Sequence, residues 1–227
     1  MSLFAAPFAD GPSRLAWSAA VLSWLLAVPL WFVTKFVLVI AHEGGHALLA
    51  KLFFQKLKGI SFTSGGGGAT VPANDVPWLF NVLIFLAGYL GPSAFGLLGA
   101  WMLIHGMTAQ VLWASLGFLV LMLFAVRGLL GWLLVPGLIA AIWLIATRVD
   151  EPQRTLYTHM WVWFLLIGAV QRMILFVLNR QYDDDVNDSV SLQALTLIPS
   201  AIWAFLFLVG TIAALTWGGA LLLRYAT

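Results

Sequence analysis

The chain of 227 residues contains no cysteine and very few charged residues. The absence of cysteine excludes disulfide bonds, thiolate metal ligands and cysteine nucleophiles. Asp, Glu, Lys and Arg make up only 9% of the residues, whereas soluble domains contain about 25%. Hydrophobic residues make up 62% and the mean hydropathy is +0.99. Such a chain has too few polar side chains to cover a water-facing surface, so the composition predicts an integral membrane protein.

The small net charge excludes a second class of function. The formal net charge is only +2, although the pI is about 9.2. A nucleic-acid-binding protein needs a clustered basic surface, which this composition does not supply. We therefore expect no nucleic-acid partner. The lipid bilayer is the predicted partner, because its anionic headgroups account for the few Lys and Arg residues.

Apolar runs separated by short polar breaks predict an all-α polytopic membrane protein with about six transmembrane helices. The runs cover residues 36–54, 78–104, 111–126, 129–147, 156–178 and 192–223, and only Arg127 separates the third from the fourth. The first apolar stretch begins at Leu15 and includes Pro29 and Lys35, which favours a kinked helix whose first half is tilted or interfacial. We divide the single membrane domain into a tail (1–14), this first helix (15–35) and a membrane core (36–223).

One carboxylate lies inside an apolar run that is predicted to span the membrane. Of the nine acidic residues, only Glu43 is embedded in an apolar run, and His42 and His46 flank it. Positions i and i+4 share one helix face, so both imidazoles can bind one metal ion. Glu43 can accept a proton from a water molecule held by that metal. Because burying a carboxylate in hydrocarbon is costly, this HExxH pattern predicts a functional site rather than a polar helix face paired with other spans.

A tetrahedral catalytic zinc site needs a third protein ligand, and Asp188 is the predicted one. The metal-binding helix leaves the membrane at Lys51, and four runs separate it from the last run, so the last run starts on the same side. Asp188 lies at that start. The alternative role of Asp188 is an N-cap of the last helix. His105 and His159 are also possible third ligands, while the residues 183–185 are interpreted as solvated loop charges.

Four motifs in this order resemble the site-2 proteases, which are membrane-embedded zinc metallopeptidases. They are FVLVIAHEGGHALLAKLF, GGGGAT, LAGYLGPSAFGLLGA and NDSVSLQALTLIP. The resemblance covers most of the chain from Phe36 onward. It is closest to the compact bacterial branch that lacks a PDZ domain, and the first motif is the most specific.

The resemblance implies a chemistry and a set of residues. It implies Zn²⁺ held by His42, His46 and Asp188, Glu43 as general base, and hydrolysis of peptide bonds in a transmembrane protein substrate. It also implies a membrane-associated strand or loop at residues 59–70, to which an extended substrate could add by backbone pairing. The substrate-binding candidates there are Gly65, Gly66, Gly67 and Gly68. On composition alone, four glycines equally indicate a flexible loop.

Two positions depart from the family pattern. Better-known members carry an Asn soon after the Gly-Pro of the second core helix, but here Gly91-Pro92-Ser93-Ala94 is followed by Phe95. The Leu-Asp-Gly surroundings of the usual third ligand are also missing. Both departures affect the expected substrate class more than metal binding. On the same helix, Gly88, Gly91 and Gly99 share one face, which predicts close packing against the metal-binding helix.

Three other functions are alternatives to an intramembrane protease. A catalytically silent metal-binding scaffold of the same fold is disfavoured by the intact Glu43 but allowed by Phe95. A metal or proton transporter would spread polar residues over several helices. A di-iron oxygenase needs more embedded carboxylates than this chain has. The Lys residues at 51, 56 and 58 predict an active site toward the cytoplasmic side, and the resemblance implies a bacterial inner or plasma membrane.

Overall fold

The structure is a computed structural model that describes residues 11–72, 76–184 and 187–224. These residues form eight helices and one β-hairpin. The helices are α1 (Gly11–Ala27), α2 (Trp31–Leu52), α3 (Trp78–Ile104), α4 (Thr108–Leu123), α5 (Gly128–Arg148), α6 (Glu151–Leu178), α7 (Asp188–Thr196) and α8 (Ser200–Arg224). The strands β1 (Leu57–Phe62) and β2 (Gly68–Pro72) pair antiparallel between α2 and α3.

Five of these helices are long and apolar enough to cross a membrane, namely α2, α3, α5, α6 and α8. This confirms the helical membrane protein predicted from composition. One of the six predicted spans, residues 111–126, forms α4, which has 16 residues and is about 24 Å long. A hydrocarbon core is about 30 Å thick, so α4 alone does not cross it.

α4 ends early because the residues that follow it pair with the hairpin. Ile60 of β1 donates its backbone N–H to the Ala125 carbonyl at 2.8 Å, and Arg127 donates its N–H to the Ile60 carbonyl at 2.7 Å. The break expected at Arg127 is therefore a short extended segment that pairs with β1. One edge of β1 is covered by this segment and the other by β2, so β2 is the outer strand among the described residues.

The first apolar stretch folds differently from the expected kinked helix. Pro29 lies in a turn between α1 and α2, and Lys35 lies inside α2 rather than at a boundary. The turn is closed because Leu30 and Trp31 donate their N–H groups to the carbonyls of Leu25 and Val28. α1 then packs along α6, where the Ser23 hydroxyl donates to the Met160 carbonyl at 2.8 Å.

The last apolar run also divides into two helices. α7 ends at Thr196, its C-cap Leu197 has a φ of 63°, and α8 begins after Pro199. The left-handed backbone at Leu197 interrupts the helix, and Pro199 disfavours helical backbone in the residue before it. The run 192–223 is therefore not one continuous helix. The Trp78 indole N–H at the start of α3 donates to the Leu195 carbonyl at 2.8 Å, which places the end of α7 beside the start of α3.

Glycines bring α2 and α3 into close contact. A Cβ added to Gly45 of α2 would overlap the Ala87 carbonyl oxygen, and one added to Gly91 of α3 would lie 3.3 Å from the Gly45 Cα. The glycine face predicted on α3 is, however, shared between two neighbours. Gly91 packs against α2, whereas Gly99 packs against Val162 of α6.

Candidate metal centre and active site

α2 places two imidazoles side by side in the interior. His42 and His46 are both 5% exposed, and their Nε2 atoms lie 3.2 Å apart. The Nδ1 atom of His46 lies 2.7 Å from the Ile84 carbonyl oxygen of α3. A carbonyl only accepts, so Nδ1 carries a proton, and Nε2 is the ring nitrogen left to bind a metal ion. The ring of His46 is therefore oriented as metal-ligating histidines commonly are.

Asp188 reaches the same point from the other end of the chain. It is the first residue of α7, and its Oδ2 lies 3.3 Å from Nε2 of His42 and 3.2 Å from Nε2 of His46. The neighbouring Asn187 is the N-cap, since its side-chain oxygen accepts from the N–H groups of Ser189 and Val190. The capping role considered for Asp188 thus belongs to Asn187, which leaves the Asp188 carboxylate free to face the histidines.

The three donor atoms fit one metal ion. Atoms that lie about 2.0–2.1 Å from a shared tetrahedral centre are about 3.3 Å apart. The separations here are 3.2, 3.2 and 3.3 Å. Asp188 Oδ2 is buried without a hydrogen-bond partner among the described residues. Two imidazole nitrogens and a carboxylate oxygen form a donor set typical of catalytic zinc sites, so the group of His42, His46 and Asp188 could hold a metal ion.

Glu43 lies between these donors and the hairpin. It is 2% exposed, and its Oε1 lies 3.9 Å from Nε2 of His42. Its other oxygen, Oε2, accepts a hydrogen bond of 2.7 Å from the hydroxyl of Thr70 in β2. Thr70 also lies 3.2 Å from the Glu43 carbonyl, to which its hydroxyl can donate instead. The motif pattern did not identify Thr70, because its role depends on how β2 lies along α2.

The four consecutive glycines occupy two different environments. A Cβ on Gly68, at the start of β2, would lie 2.6 Å from Glu43 Oε1, so this strand approaches the carboxylate as closely as backbone can. The other three form the hairpin turn, where Gly66 has a φ of 89° that favours glycine. Lys35 of α2 donates from its Nζ to the Gly65 carbonyl at 2.8 Å. The segment therefore forms the turn of the hairpin and the first residue of β2.

α3 closes the site from the side opposite the hairpin. A Cβ on Gly88 would overlap both Asp188 Oδ2 and the His46 ring. The next residue, Tyr89, packs its ring edge-on against His42 with the centroids 4.7 Å apart. The guanidinium of Arg172 from α6 lies over the Tyr89 ring, 5.6 Å from its centroid. Residue patterns singled out neither of these two neighbours as part of the site.

The other candidate residues lie elsewhere. His105 and His159 each place Nδ1 near a backbone carbonyl of their own helix, at 2.7 and 2.8 Å, and neither belongs to the metal-binding group. Asp183 is exposed and pairs with Arg180, whereas Asp185 lies outside the described residues. Phe95 stacks on Phe118 at 4.9 Å and lines an apolar cavity of about 230 Å³. Phe95 therefore does not stand in for the family's asparagine.

The family model described as Peptidase M50B-like matches residues 15–218. This match confirms the resemblance to the site-2 proteases and extends it beyond the four motifs. No curated protein and no solved structure matches the chain.

Proposed function

Because the chain belongs to the Peptidase M50B-like family, the site-2 protease family, we propose that it is an intramembrane zinc metalloprotease. Its substrates are transmembrane proteins, in which it hydrolyses a peptide bond. The observation that carries this proposal is the convergence of His42, His46 and Asp188 to separations of 3.2–3.3 Å, with Glu43 beside them. A site of this composition inside five apolar helices suits proteolysis within the membrane.

Each residue of the site has a separate role in the proposed peptide hydrolysis. His42, His46 and Asp188 would hold the zinc ion. A bound zinc ion supplies Lewis acidity, which polarises the scissile carbonyl and lets water lose a proton near neutral pH. Glu43 takes that proton on Oε1, the oxygen nearer His42, and later gives it to the leaving amine. Thr70 holds Oε2 and so keeps the carboxylate directed toward the metal ligands.

The hairpin suits a substrate in extended form. A transmembrane substrate is helical, with its backbone groups bonded internally, so it must unwind before a bond can be cut. β2 is the outer strand of the hairpin and passes Glu43 at Gly68 and Thr70. An unwound segment would add to β2 by backbone hydrogen bonds. We expect substrates with glycine-rich or polar segments within the membrane to be cut best.

The charged residues suggest the orientation. α2 ends beside Lys51, and Lys56 and Lys58 follow it closely. By the positive-inside rule this end of α2 faces the cytoplasm, in a bacterial inner or plasma membrane. The histidines lie in the half of α2 nearer this end, so water would enter from the cytoplasmic side. Accessibility labelling of a single cysteine introduced at Lys58 in inverted and right-side-out vesicles tests this orientation.

The decisive experiment compares four purified proteins in detergent on a panel of single-span model substrates. They are the natural sequence, Glu43→Gln, Asp188→Ala and the control Asp183→Ala, whose carboxylate is exposed, pairs with Arg180 and is not part of the metal-binding group. We expect Glu43→Gln to keep zinc and lose cleavage, Asp188→Ala to lose zinc, and Asp183→Ala to keep both. Zinc is quantified on each sample.

The outcomes separate the alternatives. If the natural protein holds zinc but cuts no more substrates than Glu43→Gln does, the metal-binding scaffold is favoured. Zinc flux into proteoliposomes that requires the histidines but not Glu43 would favour a transporter. A protein that holds no zinc in any form would contradict the assignment of the site.

A further inference from the structure

The hydrogen bonds of β1 determine which backbone groups of β2 point to its open edge. Ile60 of β1 uses both its N–H and its carbonyl to bond the segment 125–127, on the side away from β2. In the hairpin, Ile60 lies directly opposite Thr70. In an antiparallel pair, a residue that turns its N–H and carbonyl away from its neighbour lies opposite a residue that does the same. The N–H and carbonyl of Thr70 therefore point to the open edge of β2.

The turn of the hairpin gives the same alternation independently. The Thr63 N–H donates to the Gly67 carbonyl at 2.9 Å, so these two residues form a hydrogen-bonded pair. Hydrogen-bonded and non-hydrogen-bonded pairs alternate along two antiparallel strands. The next pair, Phe62 with Gly68, is therefore non-hydrogen-bonded, and Gly68 also turns its N–H and carbonyl to the open edge. In the described part of the chain, no other strand pairs with this edge of β2.

Gly68 and Thr70 are also the two residues of β2 that meet Glu43. Thr70 donates its hydroxyl to Oε2 of Glu43 at 2.7 Å, and a Cβ on Gly68 would lie 2.6 Å from Oε1. Since side chains alternate between the two faces of a strand, positions 68 and 70 face α2 and Ala69 faces away from it. Ala69 is exposed, whereas Glu43 and His42 are only 2% and 5% exposed. One face of this edge is therefore open, and the candidate active site closes the other.

We propose that β2 selects transmembrane substrates by an alternation of side-chain size in their unwound segment. A substrate strand that adds to β2 has two residues in register with Gly68 and Thr70, and their side chains turn toward α2 and the metal donors. These two residues must be small, such as glycine, alanine or serine. The residue between them, in register with Ala69, turns its side chain to the open face, where a large apolar residue fits.

The inference rests on the proposed protease function and adds to it the class of sequence that is cut. The bond that is cut lies within these three substrate residues, because Glu43 contacts both Gly68 and Thr70. Residues in register on neighbouring strands share a face of the sheet whichever way the strands run. The alternation of size therefore holds for a substrate strand that is parallel to β2 and for one that is antiparallel.

Side-chain size in the substrate gives the first test. The bond that the natural protein cuts in a single-span model substrate is located by mass spectrometry. Each of the two residues on either side of that bond is then replaced in turn by phenylalanine. A large side chain forced into a packed site should lower kcat/KM about tenfold or more. We expect that loss at every second position, with the positions between serving as matched controls in the same peptide. Equal losses at all four positions, or losses at two adjacent positions only, overturn the inference.

Backbone hydrogen bonds give the second test, a binding measurement with the Glu43→Gln variant so that no peptide is cut. In the same four substrate residues, each amide is replaced in turn by an ester, which removes one N–H donor. Loss of a hydrogen bond should weaken binding about 2- to 10-fold, again at every second position. The losses coincide with the size-sensitive positions for an antiparallel substrate strand and fall between them for a parallel one. Equal losses at every position, or none, contradict pairing with β2.

The protease proposal and this inference fail in different ways. If the natural protein cuts substrates but either scan lacks the alternation, the inference is wrong and the protease function stands. If the natural protein neither binds nor cuts any substrate of the panel, the protease proposal fails and this inference fails with it.

Discussion

Replacing Gly88 with alanine should weaken metal binding without disturbing the helices. A Cβ at this position would overlap the carboxylate of Asp188 and the ring of His46, both of them candidate metal donors. Neither donor can move away easily, because His46 is tied to the Ile84 carbonyl and Asp188 begins α7. Metal sites require their donors to stay within about 0.5 Å of the productive geometry. We expect zinc affinity to fall about 100-fold, or about 2.7 kcal/mol.

The assay is a chelator competition for zinc, combined with a thermal melt in detergent. Gly117→Ala is the matched control, since a Cβ there, in the middle of α4, meets nothing within 4 Å. Alanine in a helix interior is more favourable than glycine by about 0.5–1 kcal/mol, so this control should keep its zinc and melt no lower. Gly88→Ala with unchanged zinc affinity would refute the argument that α3 closes the site against the donors.

Three further predictions concern the neighbours of the site. Thr70→Val removes the hydroxyl that bonds Glu43, and a hydrogen bond to a charged group contributes about 1.5–3 kcal/mol, so kcat should fall roughly 10- to 100-fold with zinc retained. Gly45→Ala forces a Cβ against the Ala87 carbonyl and should destabilise the α2–α3 contact by about 1–3 kcal/mol, measured by thermal melting. Asn187→Ala removes the N-cap of α7 and should cost about 0.5–2 kcal/mol in stability and weaken zinc binding.

Each of these three predictions would be contradicted by a specific result. Thr70→Ser should behave like the natural protein, and equal loss in Thr70→Val and Thr70→Ser would mean that the hydroxyl is not what matters. Gly137→Ala is the control for helix packing, because nothing lies within 4 Å of its Cβ position. If it lowers the melting temperature as much as Gly45→Ala does, close backbone contact is not the cause. Asn187→Asp should preserve the cap, so a loss in that variant as large as in Asn187→Ala would exclude capping.

The parts of the site that the sequence predicts are those governed by local spacing. His42, Glu43 and His46 are within five residues, and helical geometry alone decides which of them share a face. The bounds of α3, 78–104, were predicted from its apolar run alone, because polar or turn-forming residues border it on both sides. The structure places the Oδ2 of Asp188 3.2 Å from His46, as expected, although the parity argument for Asp188 counted residues 111–126 as a full span, which α4 is not.

The remaining features depend on tertiary contacts that no local pattern encodes. Asn187 and Asp188 are equally good helix caps, and only the direction of α7 decides which one caps and which one faces the histidines. α4 looks like a span by hydropathy, but it ends early because the segment 125–127 pairs with β1. The hydroxyl of Thr70 acquires a role only when β2 lies along α2.

The metal donors come from α2 and α7, so the ribosome makes them at different times and the site can be assembled only after α7 is made. His42 and Asp188 are separated by most of the chain. Synthesis proceeds from the N-terminus at about 5–20 residues per second, so α2 enters the membrane roughly 7–30 s before α7 is made. During that interval the nascent chain has the histidines and Glu43 but no third donor, and we expect it to be inert toward neighbouring proteins. Metal binding would then occur only after synthesis of α7, and it would link α2 to α7.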